Sequence, residues 1–398
     1  VLAITKDLLG TGKHLTQRTQ SGTLTWNNAI PPGTLTLGNR EGLTSLNSAF
    51  EIFGIQLPTV IPEEFRRAMA AVGIDETNTP WHLVIPREKY LNCIENALDA
   101  MWELFSQLKR SSYLTTYVEV SNFISSMCAA RIDNTKLSTY MEGERNASVL
   151  STLSSFQPHA GGMASKVRYS NCRTVTGRLI VQGGPKILTV PTNYRDIISS
   201  RHKGGLILEL DFKSLEPRIA LMLAGKDPPP DVYNEISKKL FSEKLKRSEV
   251  KIAVLCALYG ASPRKLDTIL DKQFDAYDVI KQIKEYFCYH DITNRLREEY
   301  DRDGFISNVF GRPIFCDNNR GNILYSNFIQ STASDAALLG FKKLLGEICG
   351  MCEDVRPLFV VHDALILDTP HDDWMREIED FVELDNIGKL YFEQSLIA

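Results

Sequence analysis

The 398 residues predict an α/β protein of the α+β kind, with antiparallel strands and helices in separate runs. Three observations point there. Leu206-Ile207-Leu208-Glu209-Leu210-Asp211-Phe212 follows Gly204-Gly205 and reads as a short buried strand with an acid near its end. The apolar runs 358–361 and 364–367 flank a two-residue polar tip, as in a β-hairpin. Ile94, Leu98, Met101, Phe105 and Leu108 recur at three- and four-residue spacing, as on a long amphipathic helix.

The composition agrees. Apolar residues make up 43% and charged residues 24%, enough for a sizeable core and too apolar for a disordered chain. At roughly 150 residues per domain, the length predicts two to three domains. The longest apolar run, 252–259, is eight residues, against the roughly 20 that a membrane span needs, so no membrane partner is expected. Lys and Arg (45) nearly balance Asp and Glu (49), a net charge of −4 that leaves room for a local basic groove. Eight Cys, mostly isolated in apolar contexts, read as reduced thiols of a cytoplasmic protein. The N-terminus has neither an initiator Met nor a signal-peptide pattern, as in a processed chain or one numbered from its first observed residue.

Along the chain, residues 1–78 are rich in Thr, Gly and Asn, with strand character at 33–38 and a helical pattern at 62–69. Gly10-Thr11-Gly12-Lys13 imitates a phosphate loop, but Asp7 and His14 stand where that loop needs Gly and Ser or Thr, so an ordinary turn is expected. Residues 79–165 are helical, 166–226 strand-like, and 227–322 helical and charged, with breaks at Pro228-Pro229-Pro230, Gly304 and Gly311. Residues 323–398 begin with a helix over about 324–349 and continue into the hairpin.

Two carboxylates stand out. Asp211 at a strand end and Asp363 at a hairpin tip sit among apolar neighbours, where an acid must be solvated, paired or metal-bound. If they meet, they suit Mg²⁺ held by a few carboxylates plus substrate phosphates, as two-metal phosphoryl transfer requires. Sequence spacing alone leaves open whether they meet. In 246–260, Arg247, Lys251, Leu255 and Tyr259 fall at i, i+4, i+8 and i+12, near one helix face ended by Gly260. Two cations one turn apart suit a polyphosphate and the aromatic a base or sugar; a solvated basic end on a core helix explains the spacing equally. Lys238, Lys239, Lys244, Lys246, Arg247 and Lys251 face only Glu243 and Glu249, a patch that can track a phosphate backbone. Cys349 and Cys352 have metal-ligand spacing without a partner pair and read as structural thiols, and 371–373 as a helix start.

In this order the segments resemble family A DNA polymerases, the group of bacterial DNA polymerase I and many phage replicases. Asp211-Phe212-Lys213-Ser214-Leu215-Glu216-Pro217-Arg218 looks like the first palm motif, Arg247, Lys251, Tyr259 and Gly260 the fingers-helix motif, and Val361-His362-Asp363 the second palm motif. Gln330-Ser331-Thr332-Ala333-Ser334-Asp335 resembles the palm helix, and Thr176-Gly177-Arg178-Leu179 a template-primer contact motif. The resemblance covers about 150–398.

It implies a right hand: thumb 79–165, palm 166–226 and 323–398 around an antiparallel sheet, and helical fingers 227–322, with residues 1–78 of uncertain role. It implies a nucleotidyltransferase that extends a primer on a DNA template with deoxynucleoside triphosphates. Asp211, Asp363 and the carbonyl of Phe212 would hold two Mg²⁺ ions. Arg247 and Lys251 would clamp the triphosphate, Lys251 also protonating pyrophosphate, and Arg195 would be a further contact. Tyr259 would stack at the insertion site, Leu255 face the sugar, and Glu216 block a 2′-hydroxyl. Arg178 and Gln330 would touch the minor-groove edge of the primer-terminal pair, with Thr176 beside them and His362 near the primer end. Ala364 stands where the family has Glu, Leu255 where it has an aromatic, Asn322 and Ser326 where it has Arg and Asn, and Pro217 interrupts the first motif. Residues 1–78 are too few for a proofreading exonuclease, which would be absent, upstream or on another chain; a processivity factor, helicase or primase would be further partners. The rivals are a single-subunit RNA polymerase, which Glu216 opposes, and an inactive template-binding subunit, which the retained acids and cations oppose.

Overall fold

The computed structural model describes residues 1–38, 43–76, 79–159, 161–260, 263–270 and 274–397. The chain divides into two compact units, Val1–Ser125 and Ser126–Ala398.

The first unit is built on a five-stranded sheet in the order β3-β2-β1-β4-β5, from β1 (Leu2–Ile4), β2 (His14–Gln17), β3 (Leu24–Asn27), β4 (Leu35–Leu37) and β5 (Thr44–Ser45). β1 lies in the middle, antiparallel to β2 and parallel to β4. Its Leu2, Ala3 and Ile4 are all buried, so it carries none of the apolar–polar alternation that marks a half-exposed strand. Residues 33–38 do contain a strand, β4. Between β1 and β2, α1 (Lys6–Leu9) ends on Gly10 at φ +61. A Cβ there would come within 2.4 Å of the Thr79 carbonyl oxygen, so Gly10 serves a tight turn, as expected. Helices α2 (Asn47–Ile52), α3 (Glu63–Ala71), α4 (Trp81–Val84), α5 (Arg87–Arg110) and α6 (Leu114–Ser125) follow. α5 buries Tyr90, Ile94, Ala97, Leu98, Met101, Leu104 and Leu108. Leu104 takes the inward place expected of Phe105, which is only half-buried.

The second unit opens with β6 (Arg131–Ile132), α7 (Asn134–Gly143) and α8 (Ala147–Ser154), then the pair β7 (Arg168–Ser170) and β8 (Ile180–Gly183). β9 (Ile198–Ser199) precedes the central strand β10 (Leu206–Phe212) and α9 (Leu215–Leu223). A helical block follows: α10 (Val232–Phe241), α11 (Arg247–Tyr259), α12 (Pro263–Ile269), α13 (Ala276–Tyr286) and α14 (Tyr289–Asp303). The small pair β11 (Ile306–Ser307) and β12 (Pro313–Ile314) leads to α15 (Gly321–Met351). The chain ends with β13 (Arg356–Val361), β14 (Ala364–Thr369), β15 (Phe381–Leu384) and β16 (Gly388–Leu396).

The main sheet runs β13-β14-β10-β16-β15, with every pairing antiparallel. The mixed α/β architecture with antiparallel sheets expected from sequence is what forms. The helical block has its own core, in which Val250, Val254 and Leu258 of α11 meet Ile283 of α13 and Leu324 and Phe328 of α15. Alternation along β10 sends Phe212 into the core, stacked on Phe341 at 4.6 Å and edge-on to Phe392. Gly340 makes room, since a Cβ there would lie 2.8 Å from the Phe212 ring. One residue earlier, Asp211 points to the opposite face of the sheet.

Candidate functional site

Pairing in the main sheet decides where the acids go. Asp211 lies opposite Ala364 on β14, and the Phe212 amide donates to the Asp363 carbonyl oxygen at 3.0 Å. The two carboxylates, far apart in sequence, thus occupy neighbouring corners of one strand pair. The tip of the β13–β14 hairpin holds only His362 and Asp363, and His362 turns it with φ +57. A positive φ at the first of two tip residues suits the primed turns that match strand twist. On its other side Asp211 faces Glu393 of β16.

These acids open onto a cleft of about 990 Å³ within the second unit. Its lining includes Arg178, Asp211, Phe212, Glu216, Arg247, Lys251, Leu255, Gln330, His362 and Asp363, along with Asp231, Tyr233 and Glu393. Burial, then repulsion from Asp363, Glu209 and Glu393, pushes the Asp211 carboxyl up to about 7 while Lys251 pulls it down. Asp363 is raised by burial and by Glu216, against a lowering backbone hydrogen bond. Crowded, partly dehydrated carboxylates of this kind favour a cation between them. Among the described residues, no cluster of three or more His, Cys, Asp or Glu is arranged to hold an ion by itself. Two carboxylates and a backbone carbonyl fit Mg²⁺, which keeps most of its shell for water and substrate oxygens.

The cationic wall is α11. The Lys246 amide donates to the Glu249 carboxylate at 2.7 Å, capping its start, and Gly260 at φ +76 ends it. Arg247, Lys251 and Leu255 all line the cleft, as one helix face should. Arg247 Nε lies 2.9 Å from Asp231 Oδ2, and its guanidinium stands 5.4 Å from the Tyr233 ring centre. Asp231 also accepts from the Tyr233 and Asn234 amides to cap α10. Burial opposes its ionised form, yet the Asn234 and Arg247 hydrogen bonds hold its carboxyl below the usual range.

Glu216 joins three elements. Its carboxylate accepts from Arg178 Nη2, in the β7–β8 loop, and from the Tyr259 hydroxyl at the end of α11. Burial drives the Tyr259 phenol well above its usual range. Pro217 does not break α9: it lies in the first turn, where its missing N–H has no helical partner to lose. Gln330, Ala333, Ser334, Ala337 and Leu338 of α15 form the floor at helical spacing.

The remaining expected residues lie outside this lining. Tyr259 reaches the cleft through Glu216. Thr176 is buried in its loop, and Arg195 Nη1 is bound to Glu209 at 2.8 Å. Cys352 Sγ lies 3.8 Å from His371 Nε2, and burial raises the Cys349 thiol, consistent with structural cysteines. Sequence reasoning missed Glu393, Asp231 and Tyr233. Pro228-Pro229-Pro230-Asp231 carried a helix-cap signal, but only tertiary pairing reveals the Asp231–Arg247 contact. Glu393 has no local signal; strand register alone brings it to Asp211.

No family model matches the chain, and no curated protein sequence does. Among solved structures it is similar to the POL domain of Pol1 from M. smegmatis, described as a complex with DNA primer-template and dNTP. The TM-score is 0.63 over 92% of this chain and 86% of that one, at 14% identity. At that identity the likeness establishes one thing: the chain has the fold of a polymerase domain.

Proposed function

We propose that the protein is a template-directed DNA polymerase of the family A kind, adding deoxynucleotides to a primer 3′ end and releasing pyrophosphate. The observation that carries this is the cleft in which the Asp211–Asp363 pair faces the Arg247–Lys251 wall. The polymerase-domain fold, shared with a protein solved with DNA primer-template and dNTP, supports it. Thumb 79–165, palm 166–226 and 323–398, and fingers 227–322 are the corresponding parts of the hand.

Asp211, Asp363 and the Phe212 carbonyl would hold two Mg²⁺ ions, which when bound favour ionisation of the primer 3′-hydroxyl and neutralise charge on the leaving pyrophosphate. Glu393, opposite Asp211, adds negative charge beside that site and partly makes up for Ala364. The 3′-hydroxyl gives its proton to water, and its oxygen bonds to the α-phosphorus as the bond from that phosphorus to the bridging oxygen breaks, that oxygen leaving with pyrophosphate. Arg247 and Lys251 clamp the triphosphate, and Lys251 gives a proton to the departing pyrophosphate. Asp231 holds the Arg247 guanidinium in place until phosphate oxygens compete for it. Tyr259 supports the nascent base pair, and Glu216 stands where a 2′-hydroxyl would project. Arg178 and Gln330 read the minor-groove edge of the primer terminus, with Thr176 shaping the Arg178 loop and His362 beside the primer end. Leu255 faces the sugar, and Arg195 acts through Glu209 as a brace of β10.

Extension of a labelled primer on a longer template, with Mg²⁺ and each nucleotide in turn, tests this. The expected outcome is incorporation of the complementary deoxynucleotide, with ribonucleotides strongly disfavoured. No extension with either sugar overturns it, and equal use of both points to an RNA polymerase-like enzyme.

A further inference from the structure

Arg312 and Asp335 are fully buried, at 1% and 0% exposure, yet neither lines the cleft. Buried ion pairs are poor stabilisers compared with apolar side chains of similar volume, so this pair calls for a geometric explanation. Arg312 follows the tight turn between β11 and β12. Its Nη2 donates to the Asn171 carbonyl at the start of the β7–β8 loop, and its Nη1 lies 3.6 Å from Asp335 Oδ1 on α15. At the far end of the loop the guanidinium lies against Gly177, at φ +73; a Cβ there would be 2.6 Å from Arg312 Cζ. Asn308 completes the set, donating to Asp335 Oδ2 at 2.8 Å and accepting from the Arg312 amide at 3.0 Å. Only a planar fork can hydrogen-bond one end of a loop, lie flat under the other and face a carboxylate on a third element.

What this fork ties together is specific. The loop presents Arg178 to the cleft in the residue after Gly177, and α15 presents Gln330 little more than one turn before Asp335. We infer that the Arg312–Asp335 pair is a positioning device for primer-terminus recognition, setting the spacing between Arg178 and Gln330 and with it the discrimination between paired and mispaired ends. The inference rests on the polymerase function proposed above. The side chains act through their neighbours and touch no substrate.

Two substitutions test it. Arg312→Lys keeps a charge for Asp335 but loses the flat face and the reach to Asn171. Gly177→Ala drives a methyl group into the guanidinium from the loop side, leaving the pair itself chemically intact. The measurement is kcat/KM for the next correct deoxynucleotide from matched and from mismatched primer ends, together with the deoxynucleotide KM and a thermal melt. Each folded variant should narrow the matched-to-mismatched ratio by about tenfold, with the deoxynucleotide KM within about twofold of the parent, because a misplaced group that reads geometry costs selectivity first. In the Arg312→Lys background the effect of Gly177→Ala should shrink, the non-additivity expected of groups in contact. An unchanged ratio in a folded variant overturns the inference while leaving the polymerase assignment intact. If Arg312→Lys does not fold, Asp335→Asn, which lies off the cleft and removes the charge facing Arg312 at nearly constant shape, takes its place and is read in the same way. A parent protein that extends no matched primer overturns both.

Discussion

Asp211 is the residue on which most of the proposed chemistry converges, and its surroundings have a consequence for stability. Its carboxyl is raised to about 7 in the folded chain, from an ordinary value near 3.8, by burial first and then by neighbouring acids. The folded state therefore holds a proton that the unfolded chain releases, so without divalent metal stability falls as pH rises from about 4 to about 7. Asp211→Asn should abolish that loss. At pH 8 in EDTA the variant should be more stable than the parent by about 1 kcal/mol, or roughly 2–4 °C, given the partial solvation of the carboxylate. The difference should vanish near pH 4; a parent that melts as high as the variant at pH 8 would show that Asp211 is not strained. At the same scale, Glu216→Ala should raise ribonucleotide use, read as the ratio of kcat/KM for the two sugars, if its side chain occupies the space a 2′-hydroxyl needs, as proposed. That substitution also releases Arg178 and Tyr259, so part of the overall rate should fall with it. Asp211 and Asp363 were legible because acids amid apolar residues demand an explanation. Glu393 was not, because an acid in a strand of mixed exposure looks like any surface residue.

At the scale of the element, α11 behaves as its spacing predicted except at Tyr259, which lies outside the cleft lining and meets it through Glu216. Arg247, Lys251 and Leu255 share the cleft face, while Val250, Ala253, Val254 and Ala257 turn into the core. Leu255 lies one turn beyond Lys251 on that face and offers no hydroxyl to stand in for a missing 3′-hydroxyl. Leu255→Tyr should therefore relax discrimination against dideoxynucleotides by about 1.5–3 kcal/mol, the worth of one hydrogen bond to a charged group. Chain termination at a fixed dideoxy-to-deoxy ratio reads this out; an active Tyr variant that terminates no more often than the parent would place Leu255 away from the sugar. The β13–β14 hairpin and α15 were equally legible, from two apolar runs around a polar tip and from a long apolar-periodic stretch. The first-unit sheet was not. Its strands are two to four residues long, and the central one is buried throughout, so neither length nor alternation marks it.

For the whole molecule, a net charge of −4 hides the basic run 238–251, where Lys238, Lys239, Lys244, Lys246, Arg247 and Lys251 face only Glu243 and Glu249 and from which Arg247 and Lys251 line the cleft. Binding of primer-template should weaken steeply with salt, with a slope of log K against log salt near −0.9 for each phosphate neutralised. A slope near zero in a fluorescence-anisotropy titration would contradict a backbone-tracking groove. The order of motifs along residues 150–398 was enough to anticipate the polymerase-domain fold, because each short motif marks a strand end or helix face that the sheet later brings together. What no spacing could supply was the register that sets Asp211 beside Asp363 and Glu393. The most direct measurement is therefore single-turnover extension of a saturating, pre-bound primer-template by Asp211→Asn, Asp363→Asn and the parent, with Mg²⁺ and the correct deoxynucleotide. Each substitution should lower the rate by at least about 10³-fold, roughly 4 kcal/mol in the transition state, with little change in primer-template affinity. Near-parental turnover in either variant would contradict a catalytic centre built on these two carboxylates.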